Sequence, residues 1–454
     1  MDTTNRLGEA PIRSLFFQFY TPALISMLSS TVHQVINGIV LGPQVGKEGL
    51  AAVGLFGPVV VVLVAFALPI MIGGGVLIGK SLGAGDYEKV QQVFQFATTL
   101  VLVIGGSIAV TVPLSAGVLA RFLAGADHAV LVDYTSDYAF WQLVSLPLFF
   151  LNMVWGNFVR ADNAPKAARN ASVLAAAVNI MLDLFLVVWL GLGVEGASIA
   201  TALAFLSGSA YLFVYILKGK THYRFSSFRF TLRLSQWREL TKTGMPSFAS
   251  EIAFSSGLLL INQRLTRYGA VPIAAFGLIN YASFILIRPF TAAMIASLPV
   301  ISYNIGAGRP DRVLAMLRFS LTFTFVLGGF MALLGVLLPG YLVSLFSEHK
   351  SDTYRQVLSQ GFGLYFLLFL AAGPNYILGA YLQSTGKTTL SILINLMKGF
   401  LLVVAGLAIL PDLAGLPGVW LSRSLAEILT LLLIGLYMLY HKRKFFGERA
   451  IRPV

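Results

Sequence analysis

Six ionisable side chains, Asp183, Glu251, Arg288, Lys398, Arg423 and Glu427, stand inside stretches that are otherwise apolar. A charge in such surroundings is expensive and marks a functional candidate by default. The six are divided unevenly. The second half of the chain holds Arg288, Lys398 and Arg423 against Glu251 and Glu427, and the first half holds Asp183 alone. Arg423 and Glu427 are four residues apart, on one helix face, and are expected to pair. Arg288 and Lys398 are then available to neutralise Glu251, so a structural ion-pair network and a functional role both remain open there. Asp183 has no basic partner in its own half, which suits a group that takes and releases a proton.

A polar neighbourhood for Asp183 follows from spacing. Asn179 is one helical turn earlier on the same face, and His33 and Asn37 are four residues apart on the first apolar stretch. Thr201 lies on the sixth. Counted from the outer end of each stretch, Asp183, Thr201 and Asn37 fall roughly 8–11 Å deep at the helical rise. Three helices can therefore bring polar groups to one level. Oxygen ligands suit a hard cation, so the cluster is a candidate for a proton or Na⁺. The plainer alternative is that Asn, His and Thr only join helices by hydrogen bonds. His33 favours that alternative, and Asp183 favours function.

A second polar set lies in the other half. Glu251, Ser255, Leu258 and Asn262 follow helical spacing, as do Tyr281, Phe284 and Arg288, and Asn375, Gly379 and Gln383. With Lys398 and Glu427 they form a mixed aromatic and polar lining that suits an amphipathic ligand or a second coupling site.

The elements that position these residues must be membrane helices. Of 454 residues, 57% are hydrophobic and 11% charged, and the mean hydropathy is +0.80. A soluble protein carries about 25% charged residues, so a soluble enzyme, a disordered chain and a coiled coil are excluded. With no Cys, disulfides and thiolate chemistry are excluded too. The N-terminus MDTTNRLGEAPIRS lacks the apolar core of a signal peptide.

Twelve stretches meet the need for about 20 mostly apolar residues: 14–42, 50–79, 93–121, 133–159, 168–190, 194–217, 243–268, 273–303, 312–338, 354–383, 388–410 and 417–440. Pro22, Pro58, Pro147, Pro289 and Pro374 are candidate kinks. With both termini in the cytoplasm, the cytoplasmic segments and their flanks hold 23 of the 32 Lys and Arg, and the external loops hold six, Lys47, Arg121, Arg264, Arg267, Lys350 and Arg355. The positive-inside rule supports this orientation. It also accounts for the net charge of +13 without nucleic acid.

The chain repeats itself. GLAAVGLF (49–56) echoes PIAAFGLI (272–279), and GKSLGAGDYEKV (79–90) echoes SYNIGAGRPDRV (302–313), both at an offset of 223 residues. GVEGASIATAL (193–203) echoes GLPGVWLSRSL (415–425). The expectation is an all-α integral membrane protein with 12 transmembrane helices in two pseudo-symmetric six-helix lobes. An N-lobe spans 1–217, a basic cytoplasmic linker 218–242, a C-lobe 243–440 and a cytoplasmic tail 441–454. Six spans per half make the repeat parallel, an arrangement in which transporters bind substrate between halves that rock. GAGD and GAGR read as cytoplasmic turns. No GxxxxGK[ST] is present, so direct ATP drive is not expected. Neither HExxH nor GxSxG appears, so the chain is not expected to be an enzyme, and no TVGYG-like filter suggests a channel.

At these residues the chain resembles the multidrug and toxic compound extrusion (MATE) family of the MOP flippase superfamily. The resemblance rests on Pro22 followed by Asn37 in VINGIVLG, on LAAVGL with SLGAGDYEKV and its echo AAFGL with NIGAGRPDRV, on NIMLDLFLVVWLGLGVEGASIAT (179–201), and on NLMKGFL with GVWLSRSLAEIL. It implies a V-shaped pair of six-helix lobes and efflux of cationic or amphipathic organic compounds in exchange for H⁺ or Na⁺. It implies no cofactor beyond the coupling ion, small-molecule organic substrates, a monomer in the lipid bilayer and a bacterial-type inner (plasma) membrane. The family's cation-coupling cluster of two Asp, an Asn and a Thr maps onto Asn37, Asp183, Asn179 and Thr201, so Asn37 replaces the first acid. With a single carboxylate, coupling would rest on Asp183, helped by His33, a side chain whose charge changes near neutral pH; some members use C-lobe acids, for which Glu251 would serve. A flippase for a lipid-linked saccharide is the competing expectation, kept open by Arg288, Lys398 and Arg423.

Overall fold

The structure is a computed structural model that describes residues 5–125, 127–346 and 351–447. Lys350 and the end of the basic tail therefore lie outside the described residues. The described chain is helical throughout its apolar stretches, as a bilayer requires, because each backbone N–H and C=O must be paired within its own segment.

Contacts divide the described chain into two compact units, Thr21–Gly244 and Asn5–Tyr20 with Met245 onward. Residues 5–20, which the sequence assigns to the first lobe, thus pack with the second unit. Ten helices are long and apolar enough to cross a membrane, or eleven when a bent pair is taken as one span. One of them, α2 (Ile12–Gly83), runs 72 residues and contains two of the expected spans, 14–42 and 50–79. Its break is Gly46, at φ 66°, a left-handed backbone that glycine tolerates. Pro22 and Pro58, expected as kinks, lie inside the helix without a break.

The rest of the first unit is α3 (Tyr87–Ala124), α4 (Ala129–Val144), α5 (Leu146–Ala161), α6 (Pro165–Asp183) and α7 (Gly193–Leu217). Asp86 caps α3 by accepting from Lys89 N at 2.9 Å, which offsets an unpaired N-terminal donor. The turn before it uses Gly85 at φ 73°, and its repeat partner Gly308 sits at φ 67°. Pro147 stands in the first turn of α5, where α4 and α5 meet at 47°. α6 passes into a π-helical segment, Leu184–Trp189, directly after Asp183. α7 packs on α4, α5 and α6.

After α7, the linker lies along its own unit before helix resumes. Asp162, at the end of α5, accepts from His222 N at 2.8 Å and contacts His222 Nδ1 at 2.5 Å. Burial pushes the Asp162 carboxyl up, and the His222 contacts oppose that. Gln91 Nε2 donates to Arg224 O, and Gln91 Oε1 accepts from Arg224 N. Tyr223 is fully buried and stacks on Phe94 at 4.4 Å.

The second unit contains α1 (Asn5–Glu9), α8 (Leu234–Leu265, its part from Met245), α9 (Ala270–Leu286), α10 (Arg288–Gly306), α11 (Pro310–Leu337), α12 (Pro339–Phe346), α13 (Asp352–Tyr365), α14 (Phe369–Ser384), α15 (Thr388–Leu396), α16 (Leu402–Ala414), α17 (Leu416–Tyr440) and α18 (Lys442–Phe446). Pro289 stands in the first turn of α10, directly after the break at Ile287. A second π-helical segment, Met397–Leu401, joins α15 to α16. Phe276, Phe290, Tyr365, Phe366, Phe369 and Trp420 form the aromatic centre of its core.

Candidate functional site

Asp183 ends α6 inside the first unit and is 1% exposed. The helical turn places Asn179 on its side of α6, also buried. Asn179 Nδ2 donates to Thr201 Oγ1 on α7 at 3.4 Å. Asn37, from the first half of α2, completes the group. The amides of Asn37 and Asn179 face each other at 3.0 Å, and both reach Asp183 Oδ2, Asn179 at 3.1 Å.

Which end of each amide is nitrogen follows from its partners. Turning the Asn37 amide gives Asp183 a donor and also bonds Asn179 Oδ1 and His33 O; turning the Asn179 amide gives Asp183 a donor, bonds Asn37 Oδ1 and accepts from Thr201 N at 3.3 Å. Both cannot turn, because two NH₂ groups would then meet at 3.0 Å. One amide oxygen therefore stays against Asp183 Oδ2. A turned Asn37 serves both of those oxygens, donating to Asp183 Oδ2 and to Asn179 Oδ1. Asp183 Oδ1 is also buried without a hydrogen-bond partner among the described residues.

The structure thus brings together Asn37, Asn179, Asp183 and Thr201. It leaves the His33 ring aside: only the His33 backbone oxygen bonds Asn37, and the ring turns to the Ser29 backbone. Asp183 forms none of the ion pairs among the described residues. Among those residues, no three His, Cys, Asp or Glu gather as a metal site, so an ion here would draw on amide and hydroxyl oxygens. Spacing on the individual helices did not single out Tyr138, which lies within electrostatic range of Asp183. The depth argument would have found it: five residues into the fourth span, it sits roughly 8 Å deep.

The candidates of the second unit fall into separate places. Asn262 Nδ2 donates to its own helix at Leu258 O, and Gln383 exchanges hydrogen bonds with Ser247. Tyr281 and Phe284 are exposed on α9. The remaining groups converge. Arg423 meets Glu427 at 3.4 Å and donates to Lys398 O at 3.0 Å. Asn375 donates to Glu427 Oε2 at 2.7 Å. Lys398 Nζ lies 3.8 Å from the centre of the Tyr376 ring. Glu251, Arg288, Arg423 and Glu427 all act electrostatically on Tyr376. The sequence offered Arg288 and Lys398 together as partners of Glu251. In the structure Arg288 and Glu251 act on each other, whereas Lys398 lies over the Tyr376 ring and is acted on by Glu427.

The family model MatE matches the chain twice, over residues 22–185 and 246–408. The chain is 27% identical to the multidrug export protein MepA of Staphylococcus haemolyticus, over 92% of this chain and 91% of that one. It is 24% identical to the probable multidrug resistance protein YoeA of Bacillus subtilis, over 94% and 93%. A solved structure of a multidrug resistance MATE family transporter of the MOP superfamily in an outward-facing conformation superposes with a TM-score of 0.88 at 21% identity, covering 99% of this chain and 98% of that one. A MOP superfamily transporter from Pyrococcus furiosus gives 0.88 at 21%, covering 97% and 98%. These likenesses establish the twelve-helix fold, with the long α2 supplying two of its spans. Matched by the family model in both of its halves, the chain belongs to the MatE family.

Proposed function

We propose that the protein is a secondary active efflux antiporter. It exports cationic or amphipathic organic compounds in exchange for H⁺ by alternating access of its two six-span lobes. It sits in an inner (plasma) membrane with both termini in the cytoplasm and works as a monomer. The names of its relatives, multidrug export and multidrug resistance proteins, support the substrate class.

One observation carries the coupling. Asp183 is buried, faces no cation among the described residues, and keeps Oδ1 buried without a hydrogen-bond partner among them. A proton neutralises the carboxyl by itself. Na⁺ would have to recruit oxygens of Asn37, Asn179 and Thr201 as well, so H⁺ is the simpler ion for this donor set.

If proton and substrate compete, linkage requires that each displace the other. Adding tetraphenylphosphonium to purified protein in weakly buffered detergent should release roughly one proton per bound cation in wild type and none in Asp183→Asn. Release that persists in Asp183→Asn and vanishes in Glu251→Gln would move the coupling site to the second unit.

A further inference from the structure

The second unit holds an imbalance that proton coupling does not use. Three cations, Arg288, Lys398 and Arg423, are packed with two carboxylates, Glu251 and Glu427, and each cation leans on an aromatic ring. The Arg288 guanidinium lies 3.9 Å from the centre of Phe284, Lys398 Nζ 3.8 Å from Tyr376, and the Arg423 guanidinium 5.2 Å from Phe254. Two of these charges are accounted for. Arg423 is held by Glu427 and by Lys398 O. Arg288 and Glu251 act on each other.

Lys398 is the remainder. It is 3% exposed, and among the described residues it takes part in no ion pair. Glu427, the nearest source of negative charge, already accepts from Asn375 and Arg423. Glu427 also acts on Lys398, but it is shared with Arg423, and a ring face with a shared carboxylate is a weak counter-charge for a buried ammonium. Arg288, which acts on the same Tyr376, has its Nε buried without a hydrogen-bond partner among the described residues. Lys398 also belongs to a π-helical segment, a distortion that recurs at functional positions. Tyr281, 44% exposed, and Phe284, 38% exposed, line the face of α9 that leads to Arg288.

We propose that Lys398, together with Arg288 on the same Tyr376, is an anion subsite for the substrate. Resting on the export reading above, this gives the exported compounds a second feature: a carboxylate attached to an aromatic or apolar body. The carboxylate pairs with the Lys398 ammonium, and the body lies on the aromatic face of α9.

The test compares rhodamine B, which carries a free carboxylate, with its methyl ester, the same molecule without that charge. Fluorescence anisotropy gives the affinity of each for the purified full-length protein. Wild type should bind the free acid about tenfold more tightly than the ester, and Lys398→Met should erase that preference while changing ester affinity by no more than about twofold. Lys398→Arg should keep the preference. Equal binding of both dyes by wild type, a preference that survives Lys398→Met, or binding of neither dye would overturn the subsite. If a thermal melt shows that Lys398→Met does not fold, Arg288→Gln reads the same preference and is expected to weaken it. Proton release on adding tetraphenylphosphonium, which has no anionic group, reports on the export reading separately.

Discussion

At Asp183 the decisive quantity is a count of hydrogen-bond donors. Two amides and one carboxyl oxygen meet, and their geometry permits one amide N–H to point at the carboxyl, not two. Asn37 therefore sets how the site is charged. Asn37→Asp places a second carboxyl against the first, and two carboxylates in contact hold a proton more tightly than one. The expected outcome is tetraphenylphosphonium binding whose pH midpoint moves upward by roughly one unit or more, or binding that becomes dependent on Na⁺. A midpoint unchanged from wild type, with no response to Na⁺, would show that Asn37 does not share the site's ion. Most of the cluster was readable in the sequence, because helical spacing and depth are enough to bring Asn37, Asn179, Asp183 and Thr201 to one level. The direction of the His33 ring was not, since a four-residue spacing fixes a helix face but not where a side chain ends.

At the scale of elements, the duplication did not copy the cluster. Pro165 and Thr388, which open α6 and α15, stand at the repeat's own offset, and the same step carries Asp183 to Gly406. A Cβ at Gly406 would lie 3.1 Å from Ser422, so a side chain there would have to push α17 back by a few tenths of an ångström. The π-helical segments are likewise out of step: one follows Asp183 in the first unit, and the other contains Lys398 in the second. The repeat was legible from GAGD and GAGR because a left-handed turn selects glycine. The π segments left no such trace, because an inserted residue within a helix has no composition of its own. Close helix approach can be tested directly. A Cβ on Gly73 would come within 2.6 Å of Leu240 O, whereas one on Gly57 would meet nothing within 4 Å. Gly73→Leu should cost about 1–3 kcal/mol of stability, seen as a lower melting temperature in detergent, and Gly57→Leu should leave it nearly unchanged. Equal melting of the two variants would mean that α2 and α8 do not pack closely at Gly73.

On the scale of the whole molecule, the twelve spans followed from hydropathy because the bilayer fixes their length. Two features escaped that logic. The first pair of spans is joined through helix with a single break at Gly46, and residues 5–20 pack with the second unit. Neither changes the hydropathy of a window, so neither could be read from it. The central claim is that export is driven by ion flow through a site built on Asp183. Its most direct test is efflux of a fluorescent organic cation from proteoliposomes, with inward-directed H⁺ and Na⁺ gradients imposed separately on wild type and on Asp183→Asn. The expected result is efflux driven by the H⁺ gradient in wild type and absent in Asp183→Asn, with dye binding by the variant showing that it is folded. Efflux by Asp183→Asn at the wild-type rate under the same gradient would contradict the claim.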